Sequence, residues 1–225
     1  MKTEEYSLRE KKHAKTKIAI MNAFMEKLKR DRFDDISIRE ICRDAEVAEG
    51  TFFNYFPEKI DVIGYFLCLT NLKMIWKARR GALKGRYLNL IESLFSQIPS
   101  EINNSNVICQ VLSVLILKRE RPKKIAVSNL EKKLAFPGCA GIEDVPLETL
   151  DEWFKRCVVS AQKNGELPAR IRAEDVVISL ITILTGTLLS TRLSVGNDCG
   201  NQYTRQLYCL WRGLGVKGTK EGCIA

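Results

Sequence analysis

Between Ser37 and Lys59 the chain gathers side chains that suit one kind of chemistry, the holding of a nucleic-acid duplex. Asn54 carries an amide able to pair with a base edge, and Phe53 offers a ring that can lie against a thymine methyl. Thr51 and Tyr55 carry hydroxyls that can bond phosphate oxygens, and Lys59 adds a point charge beside them. Gly50 has no side chain, so a partner can come close to the backbone there. Phe52 and Phe56, four residues apart, share one side of a short helix with Val47 and would close a small core. Phe53, Asn54 and Tyr55 then fall outward, and exposed aromatics are costly unless they meet something.

These groups need a scaffold, and the flanking patterns supply a helical one. Apolar residues at Ile20, Met21, Phe24, Met25 and Leu28 predict an amphipathic helix over 10–30. Ser37, with Glu40 three residues on, spells a capping box opening a second helix whose buried side is Ile38, Ile41, Cys42 and Ala45. Val47 fills the turn, residues 50–55 form a very short third helix, and Pro57 suits the first turn of a long fourth. Together these make a helix-turn-helix, a geometry that places one helix in a DNA major groove.

Further helices are expected near 83–97, 104–118, 122–135, 146–164, 173–194 and 202–213, punctuated by glycines and prolines that include Gly81 and Pro99. The expected fold is all-α: a three-helix head over 1–58, then a larger bundle over 59–225.

Composition removes several other classes. The longest apolar run, from Val176 to Leu189, is broken by hydroxyl residues and Gly186, so it falls short of the ~20 apolar residues that span a bilayer. The polar start has no apolar signal core, and a cytoplasmic protein is expected. Eight cysteines occur without a CxxC pair, and His13 is the single histidine. Buried free thiols are therefore expected rather than disulfides or a metal site, with Cys139, Cys199 and Cys223 the better redox candidates. No cofactor is implied. An enzyme finds no support, because no nucleophile–base pair, phosphate loop or metal spacing is present.

The net charge of +9 is unevenly spread, with eight basic and two acidic groups over 9–30 but four basic and eight acidic over 31–60. Arg9, Lys11, Lys12, His13, Lys15 and Lys17 suit either a solvated face or an arm laid on phosphates. The run from Lys118 to Lys133 suits a solvated face, an anionic ligand or a second DNA contact.

The segment Ile41-Cys42, Ala45-Glu46-Val47-Ala48, Gly50-Thr51, Phe53, Tyr55-Phe56 and Lys59 resembles the signature of the TetR family of bacterial transcriptional regulators. A looser likeness covers 161–190, where AQKNGELP leads into an apolar helix with Gly186. The resemblance implies that Gly50, Phe53 and Asn54 face bases, and that Ser37, Thr51, Tyr55 and Lys59 contact the DNA backbone. It also implies a homodimer on a double-stranded operator, paired through the last two long helices, and a small-molecule effector held inside each bundle. Thr182, Gly186 and Ser190 form a small-residue row suited to close helix pairing. Trp76, Phe95, Cys109, Leu112, Trp153 and Cys157, on apolar faces, are the candidates to line a ligand pocket for an apolar or aromatic effector.

Four residues depart from the family pattern. Glu46 stands where a turn glycine is usual, Ala48 where a capping Ser or Thr is usual, and Arg32 where a glycine ends the first helix. Glu49 puts a negative charge at the start of the reading helix, where it meets phosphate repulsion or accepts from a cytosine amino group. These departures keep open a second reading, a helix-turn-helix interaction module with weak or lost DNA binding.

Overall fold

A computed structural model describes residues 6–102, 106–119, 122–123, 125–193 and 199–216. Among the described residues there are ten α-helices, two short 3-10 turns and no strand. The chain divides into two compact units, one of 1–73 with 104–147 and one of 74–103 with 148–225.

The first unit begins with α1, Leu8–Leu28, opened by a reciprocal capping box between Ser7 and Glu10. Then come a 3-10 turn at Phe33–Asp35, α2 over Ile38–Asp44 and α3 over Glu49–Tyr55. The first half of α4 (Lys59–Gly81), α6 (Asn106–Leu117) and α7 (Asn129–Ala135) complete it. Its core joins Ile20, Phe24 and Leu28 of α1 to Ile41, Phe52 and Phe56, and to Ile60, Ile63, Tyr65 and Leu69 of α4. The start of α4 is thus buried with the head, which is why the division differs from a boundary at residue 58.

Two buried lysines hold this unit together, and neither follows an apolar pattern. Lys17 donates to the carbonyl of Ala126 at 2.8 Å, pairs with Glu131 at 3.2 Å and lies over the Tyr65 ring at 4.4 Å. Lys132 donates to the carbonyls of Glu143 and Val145. The basic run near it is largely committed to partners of its own. Lys118 binds Asp34, Lys123 pairs with Glu58 and Lys133 with Glu143.

The second unit contains the end of α4, then α5 (Tyr87–Ile102), α8 (Leu150–Lys163), α9 (Ala173–Leu193) and α10 (Cys199–Gly213). Phe95 of α5 stacks on Phe154 of α8 and meets Tyr203 of α10, whose hydroxyl donates to the carbonyl of Leu184 in α9. Pro99, expected to end a helix, lies inside α5. Both carboxylate oxygens of Glu166 accept from the first amides of α5, at Tyr87 and Leu88.

The segment Ala173–Thr191 of α9 is long and apolar enough, by length and composition, to cross a membrane. That corrects the count of apolar residues made on the sequence, where hydroxyl residues broke the run. In the bundle, α9 buries Val176, Leu180, Ile183 and Leu188 and packs against α8 and α10.

Candidate nucleic-acid interface

The turn between α2 and α3 decides how α3 is presented. The amide of Val47 donates to the carbonyl of Cys42 and that of Glu46 to Arg43, which is a Schellman end to α2. Glu46 occupies its left-handed position with φ 54°, alone among the described non-glycine residues. The same bonding pattern ends α8 and α10, where Gly165 and Gly215 hold that position at φ 72° and 75°. A Cβ in that conformation costs ~1 kcal/mol. The geometry is therefore the one a glycine would serve, adopted by a glutamate.

Ala48 is the N-cap of α3 and gives no side-chain bond, as its lack of a polar atom dictates. Ser37 is the N-cap of α2, but the expected capping box is absent. Glu40 turns instead toward Lys27 of α1, which also binds Asp44 at 3.1 Å. Arg32 needs no glycine, because α1 ends at Leu28 and Arg32 has an ordinary φ of −72°.

On α3 the two faces separate as the spacing requires. Phe52 and Phe56 are fully buried, whereas Phe53 is 48% exposed. Asn54, Glu49 and Gly50 are exposed, and Thr51 is half-buried. A Cβ built on Gly50 would meet no atom within 4 Å, and its φ is ordinary. Neither backbone conformation nor packing in this chain requires a glycine at that position.

Tyr55 and Lys59 are placed differently from expectation. Tyr55 is half-buried against the core, and its ring lies 4.6 Å from that of His13. Lys59 donates to the carbonyls of Phe33 at 2.6 Å and Ile36 at 2.9 Å and lies over the Phe33 ring at 4.6 Å. Burial draws its ammonium below the usual lysine range. The charge expected beside phosphates is spent on fixing the loop before α2. The arm reading of the N-terminal basic residues is also corrected: Arg9, Lys11, Lys12, His13 and Lys15 are exposed positions within α1 itself, and Lys17 is core.

The pocket candidates are divided between the two units. Cys109 and Leu112 lie on α6 in the first unit, and Trp76, Phe95, Trp153 and Cys157 lie in the second. Trp153 and Phe95 both touch Phe154, so those two share a core. Burial pushes the Cys157 thiol up to about 12. Arg80 covers the Trp76 ring at 4.9 Å. Of the other thiols, Cys42 is buried and Cys139 half-buried, whereas Cys209 is exposed, against the expectation of burial. Cys223 and the side chain of Cys199 lie outside the described residues.

On α9, Thr182 and Gly186 are exposed and Ser190 is half-buried, with its hydroxyl donating to the carbonyl of Thr187. Ile178, Leu189 and Leu193 extend the same face and are 64%, 49% and 86% exposed. Sequence reasoning found the small residues and missed these apolar flanks, which the spacing 178, 182, 186, 189, 193 would have shown. Among the described residues, no three His, Cys, Asp or Glu are placed to hold a metal ion.

No protein-family model matches the chain, and no curated protein matches it. Solved structures do. A TetR regulator from Streptomyces fradiae, tylp, covers 91% of this chain and 81% of its own at 14% identity, with a TM-score of 0.59. The SmeT–triclosan complex covers 93% of this chain and 97% of its own at 13% identity, with a TM-score of 0.58. A gamma-butyrolactone receptor, an ArpA-like protein, covers 94% of this chain and 93% of its own at 16% identity, with a TM-score of 0.55. At these identities the agreement concerns fold, and it extends over nearly the whole chain: this protein has the all-α fold of the TetR-family transcriptional regulators.

Proposed function

We propose that this protein is a ligand-responsive transcriptional regulator, a repressor that binds a palindromic operator as a homodimer and is released by a small effector. One observation carries the DNA reading. The exposed face of α3 presents Asn54 and Phe53 to solvent, together with a glycine at position 50 that this chain's own structure does not require. Gly50, Phe53 and Asn54 would face base edges, with Ser37, Thr51 and Tyr55 toward the sugar–phosphate backbone. Lys59 acts indirectly, by holding Phe33 and Ile36 in place.

The dimer reading rests on the face of α9 from Ile178 to Leu193, where Thr182 and Gly186 permit close approach and exposed apolar side chains need cover. The effector reading rests on the fold and on a cleft in the second unit. No catalytic role is assigned, and a cytoplasmic location follows from the regulatory one.

Selection of bound sequences from a random duplex pool tests the proposal. A recovered palindrome with half-sites about 34–36 Å apart, or a multiple of that, supports a dimeric reader. Binding should weaken steeply as salt rises. The exposed carboxylates of Glu46 and Glu49 and the inward-turned Lys59 favour one competing reading, an interaction module without DNA binding. No enrichment over nonspecific DNA at low salt would leave that reading standing.

A further inference from the structure

The second unit contains a cleft of about 1070 Å³, the size of a drug-like ligand site. Leu83, Leu88, Phe95, Leu207, Trp211 and Val216 supply apolar wall. Most polar side chains at its edge are already used within the fold. Asn164 donates to the carbonyl of Gly85, and Gln162 to that of Ile171. Glu166 is occupied by the amides of Tyr87 and Leu88.

Glu92 is different. Its half-buried carboxylate lines the same cleft, and among the described residues its hydrogen-bonding neighbours are the Asn89 amide, at a long 3.5 Å, and the Trp211 indole N–H, which faces it. Arg86 is near enough to be felt but forms no ion pair with it. Burial pushes this carboxyl above the usual glutamate range, and the neighbouring Glu166 acts in the same direction. A half-buried carboxylate of this kind gains most from a partner that brings a positive charge and a donor.

We propose that this cleft binds an amphipathic organic cation, an apolar body carrying a protonated amine that donates to Glu92. The assignment names the effector class and so rests, for its regulatory meaning only, on the ligand-responsive reading above. It also narrows the apolar or aromatic effector expected from the sequence to one that carries a cationic head. An anion of similar shape meets Glu92 and Glu166 together and is repelled.

Three fluorescent probes with one apolar body test this on the full chain: dansylcadaverine, its N-acetylated neutral form, and the dansylated amino acid of matching chain length. Dansyl emission rises on entering an apolar site. The ammonium probe should bind about tenfold more tightly than the acetylated one, and the carboxylate probe more weakly still. In Glu92→Gln, which keeps size and removes a half-buried charge, the ammonium and acetylated probes should bind alike. Absence of binding by dansylcadaverine, absence of a preference for it in the wild type, or a preference that survives Glu92→Gln each overturns the inference. The two readings fail separately. A selected duplex released by some other ligand would leave the regulator standing without the cation, and a Glu92-dependent preference in a protein that binds no DNA would do the reverse.

Discussion

Substituting Gly50 by alanine separates the needs of the fold from those of a partner. The added methyl meets no atom within 4 Å, and the backbone there has no positive φ. Glycine inside a helix costs roughly 0.5–1 kcal/mol relative to alanine. Gly50 lies in the first turn of the seven-residue α3, so the low end applies, about 0.5 kcal/mol of gained stability. Thermal melting followed by circular dichroism should therefore move upward slightly or stay in place. DNA binding should move the other way. If this backbone comes within contact of a base pair, a methyl group forces the helix outward and loses at least about 1.4 kcal/mol, or tenfold, at each half-site. Fluorescence anisotropy with the selected duplex, against a scrambled one, reads that loss. Wild-type affinity in a well-folded Gly50→Ala protein would refute the close-approach argument. A lowered melting temperature would refute the open-space argument beneath it.

Glu46→Gly should stabilise the first unit by about 1 kcal/mol, because it relieves the left-handed strain at an exposed side chain, and an unchanged denaturant midpoint would count against that strain. Lys59→Met should cost about 2 kcal/mol in the same assay through the lost bonds to Phe33 and Ile36. It should leave the salt slope of DNA binding unaltered, and a slope reduced by about one would show a direct phosphate contact instead. Lys17→Met should destabilise by about 3 kcal/mol, since the buried Glu131 loses its counter-charge, and pairing it with Glu131→Gln, which keeps an oxygen for the Ser128 amide, should restore part of that loss. A double variant as weak as the single would refute the charge argument. The Glu92 carboxyl has a raised folded pKa, so wild-type stability should fall as pH rises from the ordinary glutamate range through that raised value. Glu92→Gln should melt higher than wild type at neutral pH and match it in acid, which a pH series of melts would check.

The fold was legible wherever local pattern and packing demanded the same thing. The helix-turn-helix could be read because Phe52 and Phe56 repeat at helical spacing and Ser37 suits a helix start, and the structure buries both rings and begins α2 after Ser37. The box at Ser7 and Glu10 is equally legible, and with it α1 begins two residues before the start that the apolar spacing alone predicts. What stayed hidden depends on partners far along the chain. Nothing near Lys17 announces Glu131, and nothing near Lys59 announces the carbonyls of Phe33 and Ile36. The Ser37 box failed for a similar reason, because Lys27 of α1 competes for Glu40. Glu92 escaped notice because a glutamate on an amphipathic helix looks solvated until the other walls of its cleft are known.

Taken alone, the turn before α3 is poorly held. A strained Glu46 and an uncapped Ala48 together forfeit about 2 kcal/mol relative to glycine and serine. That loss is smaller than what the neighbouring residues return. Phe52 and Phe56 are fully buried, and each such ring contributes roughly 2–3 kcal/mol. Lys59 fixes the loop before α2, Lys27 ties α2 to α1, and His13 of α1 packs on Tyr55. The anchoring of α3 therefore comes from α1 and the start of α4, outside the turn itself. It follows that α3 is held in place by the fold of the first unit, without help from a partner. The unusual residues in the turn then affect what the head meets, through the charges of Glu46 and Glu49, far more than whether it folds.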